Sequence, residues 1–361
     1  MASEEPIRRP QQLPSANHEV IVLLEGVHLT FEDIDTAPKS HELISYHRIT
    51  APDQVRERIQ CASIVIATQC RINADSLGEA PYLKCVITPT AGTNHIDVDE
   101  CRRRGIKVAR CEGSTSPAVA EHALSMYFAT RRKTVIFHNE VRNVDEENKN
   151  SWKREGSIAY KMQLANGQAP CSIEQEVVGI IGYGSIGKRL ATFCKALGME
   201  VLISERKGAL ETRKIPSSHG DDGAAIDRVP FDQVIRTATV VVLCCTFTEA
   251  SRHMIDAAEL GAMRPEAVII NVSRGGIMNN AAVVAALRAR RISGVAVDVF
   301  DQEPASSAEE SALLAEDTRD LNIIFSPHVG YLSTKTILTM KTMVNGHIKS
   351  FVQGDYSKFE A

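Results

Sequence analysis

No two of the nine cysteines stand at CxxC spacing, and neither HExxH nor any other clustered ligand spacing occurs among the eleven histidines. Structural zinc and thiol redox chemistry both need such spacing. No metal site is expected, and the cysteines read as small buried thiols in a reducing compartment. Neither sign of charge is in excess: 41 Lys and Arg against 45 Asp and Glu leave a net −4. That gives no reason to expect nucleic acid or an acidic membrane as a partner. The first residues hold no apolar signal core, and no apolar run approaches the ~20 residues that span a bilayer. A cytoplasmic protein is expected. Asn271-Val272-Ser273 matches a glycosylation sequon, but it falls at the end of an apolar strand and reads as fortuitous.

A chain of 361 residues is long for one hydrophobic core, so two domains are expected. The most informative stretch is 176–207. Val177, Val178, Ile180 and Ile181 form a short apolar strand that runs straight into Gly182-Tyr183-Gly184-Ser185-Ile186-Gly187. Beyond the glycines, Ile186, Leu190, Phe193, Cys194 and Leu197 recur at helical spacing until Gly198, and a second strand, 200–204, ends at Glu205. Strand, glycine turn, helix, strand and acid in that order form the βαβ fingerprint for a dinucleotide. Gly182 permits the tight turn, Gly184 lets backbone N–H groups approach a pyrophosphate, and Gly187 lets helix and strand pack closely. Glu205 can accept from the adenosine ribose hydroxyls, which favours NAD; the adjacent cations Arg206 and Lys207 leave NADP open.

Taken in order, residues 1–17 are polar and proline-bearing and read as a mobile tail. Residues 20–24, 63–68 and 84–88 are short apolar strands with helical segments between them, such as 52–60, which predicts a small parallel α/β domain. After the third strand comes Ala91-Gly92-Thr93-Asn94-His95-Ile96-Asp97, a loop of small residues where α/β sheets bind ligands; an ordinary capped turn reads equally well there. Ser116-Pro117 opens a helix to about Arg132 that links the domains, and the basic run Arg131-Arg132-Lys133 complements its dipole. The polar stretch 140–175, with the only tryptophan, Trp152, reads as an arm onto another subunit. Strands at 239–244, 267–272, 294–299 and 322–325 then bring the second sheet to six, with a helix at 281–290 capped by Asn279 or Asn280. A final helix, 334–351, is too little for a domain and returns to the first one.

The last three strands lead into Ser273-Arg274-Gly275-Gly276, Phe300-Asp301-Gln302-Glu303-Pro304 and Ser326-Pro327-His328-Val329-Gly330. A cation, an acid and an imidazole therefore stand past the carboxyl ends of neighbouring strands, on the edge where the cofactor lies. Hydride transfer between a 2-hydroxy acid and NAD needs these three groups. A guanidinium clasps the carboxylate, an imidazole gives or takes the hydroxyl proton, and a carboxylate orients the ring.

The segments 91–97, 116–124, 182–187, 271–276, 298–304 and 327–330 together resemble the D-isomer-specific 2-hydroxyacid dehydrogenase family over nearly the whole chain. Residues 198–209 are most similar to its glycerate dehydrogenase branch, also described as hydroxypyruvate and glyoxylate reductases. The resemblance implies two Rossmann-like α/β domains with doubly wound parallel sheets. The substrate domain, 18–115, would be discontinuous and completed by 328–361, around an NAD-binding domain at 116–327. It implies Arg274, Glu303 and His328 as catalytic residues, with Arg274 and the backbone of Ala91, Gly92 and Thr93 holding the substrate. Residues 182–187, Glu205, Arg206 and Asp298 would bind the cofactor. It further implies a homodimer acting on a small 2-oxo acid. Apart from the resemblance, Val27, Leu29, Phe31 and Tyr331 are residues that can line a pocket for something larger. There are departures: Leu243-Cys244-Cys245-Thr246 stands where many relatives carry a His and a Pro, and Met278-Asn279-Asn280 replaces an acidic pair. Two alternatives share the fold. A formate dehydrogenase is disfavoured by the acid at Glu303, and a nucleotide-sensing corepressor-like binding protein keeps the same triad.

Overall fold

The computed structural model describes residues 5–164, 166–216 and 225–360. The chain divides into two compact units, Met1–Thr115 with Leu332–Ala361, and Ser116–Tyr331.

The first unit is built on a five-stranded parallel sheet of β1 (His18–Leu23), β2 (Ser40–Ser45), β3 (Ile64–Ile66), β4 (Cys85–Thr88) and β5 (Lys107–Arg110). Its order is β2-β1-β3-β4-β5. The three central strands are runs of buried Val and Ile, as a parallel sheet covered on both faces requires. They are the three strands that the apolar pattern predicts. The two outer strands, Ser-His-Glu-Leu-Ile-Ser and Lys-Val-Ala-Arg, escape that pattern because an edge strand buries less and tolerates charge. The helix Thr334–Val352 belongs to this unit. Thr336, Met340, Val344, His347, Ile348 and Phe351 form its buried stripe, and Ser333 caps it by accepting from the Thr336 N–H.

The expected mobile tail needs correction from Glu5 onward. The Glu5 carboxylate accepts from the backbone N–H of Arg48 at 2.9 Å and of His47 at 3.2 Å. The Arg8 N–H reaches the Tyr46 hydroxyl at 3.0 Å, and the Gln11 N–H reaches Glu42 at 2.8 Å. A polar segment looks mobile in sequence when its partners lie far along the chain. Residues 1–4 are outside the described residues.

The second unit carries β6 (Val177–Ile181), β7 (Glu200–Ser204), β8 (Arg213–Ile215), β9 (Ile226–Val229), β10 (Val240–Leu243), β11 (Val268–Asn271), β12 (Gly294–Val297) and β13 (Ile323–Phe325). They form one sheet in the order β13-β12-β11-β10-β6-β7-β9-β8. All neighbours are parallel except β8, which is antiparallel to β9. The six strands expected from sequence are present, and β8 with β9 adds two at one edge. β10 and β11 are buried along their whole length, and side chains such as Val241 and Ile269 each contribute about 1.5–3 kcal/mol. Leu243 is level with Ile181 on one side and Asn271 on the other, Asn271 with Val297, and Val297 with Phe325. The carboxyl ends of five strands thus lie in one row.

The helix Ser116–Arg131 packs on this sheet, and its last residue corrects the reading of the basic run. Arg131 is buried rather than solvated at a helix end. Its Nε and Nη2 hold the Glu176 carboxylate at 2.6 and 2.9 Å, and it donates to the carbonyls of Thr239 and Glu266 at 2.9 and 2.7 Å. Tyr127 Oη donates to the same carboxylate at 3.0 Å. The stretch read as an irregular arm takes in the end of the helix Thr134–Arg142, the helix Ser151–Glu155 and two short 3-10 turns. No described helix is long and apolar enough to cross a membrane.

Candidate active site

Gly182 ends β6 with φ +102°, and a Cβ there would fall 2.5 Å from the Cys245 backbone nitrogen. Only glycine lets the β6 and β10 ends approach this closely. The helix Ser185–Ala196 follows, and its N-cap, Gly184, supplies no side-chain hydrogen bond. A Cβ on Gly184 would meet nothing within 4 Å, whereas one on Gly187 would fall 2.2 Å from the Gly182 carbonyl oxygen. An uncapped helix N-terminus with open space at its N-cap glycine, Gly184, fits the pyrophosphate of a dinucleotide. Ser185 Oγ accepts from Ser116 Oγ at 2.7 Å. Tyr183 is buried among apolar neighbours of the sheet, so it offers a ligand its backbone rather than its ring.

Past β11, Arg274 is extended and exposed, with Nη1 donating to the Ser273 carbonyl at 2.7 Å. A Cβ on the next residue, Gly275, would fall 2.1 Å from the Phe300 carbonyl carbon, so the loop after β11 lies directly on the loop after β12. That loop carries Glu303. Its Oε1 accepts from the Phe300 N–H at 2.9 Å, and its Oε2 lies 2.6 Å from His328 Nδ1. Burial pushes the Glu303 carboxyl upward, but His328, the Phe300 N–H and Arg274 outweigh it and hold the group below the usual carboxylate range. The strand ends thus bring Glu303 and His328 together in a hydrogen bond, with Arg274 close enough to act on the acid.

His328 has φ +54°, a left-handed conformation that few non-glycine residues adopt without support. The support comes from Asp298 at the end of β12. Its carboxylate accepts from the backbone N–H groups of Val329 and Gly330, both at 3.0 Å, and from Ser326 Oγ at 2.6 Å. His122 Nε2 lies 3.4 Å from the same carboxylate and 2.8 Å from Ser326 Oγ. Sequence suggests Asp298 as a cofactor contact; these partners make it first a brace for the turn that carries His328. Ser326 and His122 were not legible as members of this brace, because His122 lies in a helix far back along the chain.

Burial pushes the Asp298 carboxyl upward, but His122, Ser326 and the Gly330 N–H outweigh it, so its folded pKa lies below its unfolded one. Its contribution to stability is therefore fully present above the unfolded value of ~3.9 and is lost as pH falls through the folded value. Asp298→Asn should lower stability at pH 7 by about 1–3 kcal/mol and flatten the loss of stability between about pH 5 and 3, read by denaturant melts across that range.

Glu205 stands at the end of β7, as expected, but its carboxylate is already engaged. Arg213 Nε donates to Oε2 at 2.6 Å, the Arg206 N–H donates to Oε1 at 3.0 Å, and Arg228 Nη1 lies 3.9 Å from Oε1. Arg213 and Arg228 come from β8 and β9, whose short polar sequences gave no signal. Arg206 itself is exposed. All nine cysteines are free, and burial pushes the Cys244 thiol up and that of Cys245 to about 11. Among the described residues no group of three His, Cys, Asp or Glu is arranged to hold a metal.

In the first unit, Ala91, Gly92 and Thr93 follow β4 and are half-buried. Thr90 Oγ1 donates to the Gly92 carbonyl at 2.6 Å and Arg110 Nη1 to the Ala91 carbonyl at 3.3 Å, which engages two of the loop's carbonyls. Among the described residues none accepts from the three N–H groups. Leu29 and Phe31 are buried and Val27 is exposed.

Residues 125–330, more than half the chain, match the model of the D-isomer specific 2-hydroxyacid dehydrogenase NAD binding domain. The chain is 29% identical to a glycerate dehydrogenase of Methylorubrum extorquens over 87% of this chain and 90% of that protein. It is 29% identical to a glyoxylate reductase of Pyrococcus furiosus over 79% and 77%. Among solved structures it shares its fold with an NADPH-dependent glyoxylate/hydroxypyruvate reductase of Sinorhizobium meliloti, in complex with NADP and malonate. The TM-score is 0.68 at 22% identity, over 95% of this chain and 97% of that one. An acyclic imino acid reductase in complex with NADPH and D-Arg superposes with a TM-score of 0.70 at 18% identity, over 95% and 100%. The glycine turn, the strand-end residues and the family match agree: the chain belongs to the D-isomer specific 2-hydroxyacid dehydrogenase family, NAD(P)-dependent oxidoreductases acting on CH–OH groups.

Proposed function

We propose that the chain reduces a small 2-oxo acid of the glyoxylate or hydroxypyruvate type to the D-2-hydroxy acid, with the first unit as substrate domain and the second as cofactor domain. The observation that carries this reading is the 2.6 Å pair of Glu303 Oε2 and His328 Nδ1 at the strand ends that also bear Arg274. With Nδ1 held on the acid, the imidazole presents Nε2 to a substrate. Arg274 clasps the carboxylate and polarises the carbonyl oxygen, and the N–H groups of Ala91, Gly92 and Thr93 take the carboxylate's remaining lone pairs. A reduced nicotinamide, once bound to the second unit, would supply the hydride to the carbonyl carbon. His328 gives the Nε2 proton to the carbonyl oxygen as it becomes the hydroxyl, and Glu303 stabilises and orients the ring throughout. Residues 182–187 would hold the pyrophosphate of that cofactor at the helix N-terminus. The names of the glycerate and glyoxylate relatives support the substrate type. Chiral chromatography of the product from hydroxypyruvate tests it: only the D enantiomer should accumulate, and an L product contradicts the assignment.

The same reading makes the protein a cytoplasmic homodimer. Lys133, Glu140, Arg154 and Lys161 border a cavity of about 1360 Å³ with Arg288 and Asp320, and Val141, Val144, Trp152 and Tyr160 on the same stretch are exposed. A second copy would cover them. Sedimentation should give twice the mass of one chain; a monomer at micromolar concentration rules the dimer out.

A further inference from the structure

We propose that Asn280 and Asp301 form a positioning pair, which fixes the loop of Glu303 against the turn of Arg274. The inference rests on the reading of Arg274, Glu303 and His328 given above and adds two residues to it. At the start of the helix Asn280–Arg288 the chain has Asn279-Asn280 where relatives carry an acidic pair. Both amides face an aspartate. Asn279 Nδ2 donates to Asp256 Oδ1 at 3.0 Å, while its Oδ1 caps the helix by accepting from the Ala282 N–H at 3.2 Å. Asn280 Nδ2 donates to Asp301 Oδ2 at 2.7 Å. An acid at either position would set carboxyl against carboxyl, an arrangement that holds together only while one of the two keeps its proton. The two asparagines are therefore the counterparts of the two aspartates.

Only the second pair reaches the candidate active site. Asp301 follows Phe300, whose N–H holds Glu303 Oε1 at 2.9 Å. The turn after β11 lies on the same two residues. A Cβ on Gly275 would fall 2.1 Å from the Phe300 carbonyl carbon and 2.3 Å from the Asp301 nitrogen, and one on Gly276 would fall 3.7 Å from Asp301 Oδ1. The Gly276 carbonyl is fastened in turn by the His253 N–H at 2.8 Å. Asp301 thus sits between the turn that bears Arg274 and the helix that follows it, and the buried Asn280 ties it to that helix. Asn280 Nδ2 lies 3.4 Å from Ser311 Oγ as well, while its Oδ1 is buried with no partner among the described residues. The acid sets this orientation, because a reversed amide would point its oxygen at the Asp301 carboxylate. Through the backbone of Phe300 and Asp301, the pair fixes where Glu303 stands relative to Arg274.

The test is the pH profile of kcat/KM for hydroxypyruvate, with cofactor affinity titrated by fluorescence alongside. Four full-length proteins are compared: wild type, Asn280→Asp, Asn279→Asp, and the exchange of Asn280→Asp with Asp301→Asn. In Asn280→Asp the new carboxyl is buried beside an acid, so its pKa rises; protonated it donates to Asp301 in place of the amide, and ionised it repels. Its kcat/KM should lie within about three-fold of wild type near pH 5 and fall at least ~10-fold below it by pH 8, since a shift of about 1 Å at a catalytic group is enough for such a loss. Cofactor affinity should stay within about two-fold, because the glycine turn is untouched. The charged groups that act on Asp301 are His253 and Arg252 of the loop after β10, and Arg252 is paired with Glu249 at 2.9 Å. They are common to all four proteins, so the ratio to wild type reports the pair alone. The exchange restores one donor against one acceptor with the roles reversed, and should recover the wild-type profile to within about three-fold. Asn279→Asp meets Asp256 at the same helix end but away from both loops, and should keep the wild-type pH dependence. A wild-type profile in Asn280→Asp, the same alkaline loss in Asn279→Asp, or an exchange variant as impaired as Asn280→Asp each overturns the proposal. The exchange, which carries no like-charge contact, decides the matter where Asn280→Asp is too unstable to assay. A wild-type chain that binds cofactor and turns over no 2-oxo acid would overturn the reductase reading itself, a different result from an unshifted profile.

Discussion

Replacing His328 by alanine is expected to cut kcat by about 10²–10⁴-fold while cofactor affinity stays within about two-fold. The ring is the group that Glu303 orients, through Nδ1 at 2.6 Å, and Asp298 fixes the turn behind it through the Val329 and Gly330 N–H groups. Removing the imidazole takes away the proton donor and leaves the glycine turn at Gly182–Gly187 untouched. Because Glu303 acts through the ring, the pair should be non-additive: adding Glu303→Gln to His328→Ala should cost little more than His328→Ala alone. Single-turnover kinetics with a fluorescence titration of the cofactor separates the two quantities. Unchanged turnover in His328→Ala would remove the residue from the chemistry.

Arg131→Ala should destabilise the second unit by about 3–5 kcal/mol, because it strands the Glu176 carboxylate in the interior. Both side chains are almost wholly buried, at 2% and 0% exposure, and the guanidinium joins the end of the helix Ser116–Arg131 to the Thr239 carbonyl at the start of β10. For a unit of this size such a loss corresponds to roughly 10 °C in melting temperature. Replacing both partners, Arg131→Met with Glu176→Leu, should recover most of it, since the penalty comes from the unpaired charge rather than from a strong net bond. Differential scanning calorimetry of the three variants decides this. A double variant as unstable as Arg131→Ala would show that the carbonyl contacts matter more than the pair.

Much of the second unit was legible because its central strands are buried on both faces. Val-Val-Val-Leu at β10 and Val-Ile-Ile-Asn at β11 can hardly be anything but interior parallel strands, and each strand end announces the residue that follows it. Arg274, Glu303 and His328 could be placed in one row from that rhythm alone. What escaped is whatever depends on partners distant in sequence. β2, β5, β8 and β9 are edge or near-edge strands with charged residues, and no apolar run marks them. The Asp298 brace joins the helix Ser116–Arg131 to the turn after β13, and the Arg131 pair joins that helix to the start of β6. Local residue types carry no trace of either. Glu205 is the instructive case: it stands at the strand end where the sequence puts it, but its ion pair with Arg213 forms only because β8 pairs with β9 and β9 with β7.

The most direct test of the proposed activity is loss of absorbance at the reduced-nicotinamide band. NADH and NADPH would be run in parallel across glyoxylate, hydroxypyruvate, pyruvate, phenylpyruvate and 2-oxoisocaproate. Expected is turnover of glyoxylate or hydroxypyruvate at the head of the series, with one of the two reduced nicotinamides. Tight nucleotide binding with no turnover of any of the five acids would contradict the reductase assignment and leave the fold serving as a nucleotide-binding module.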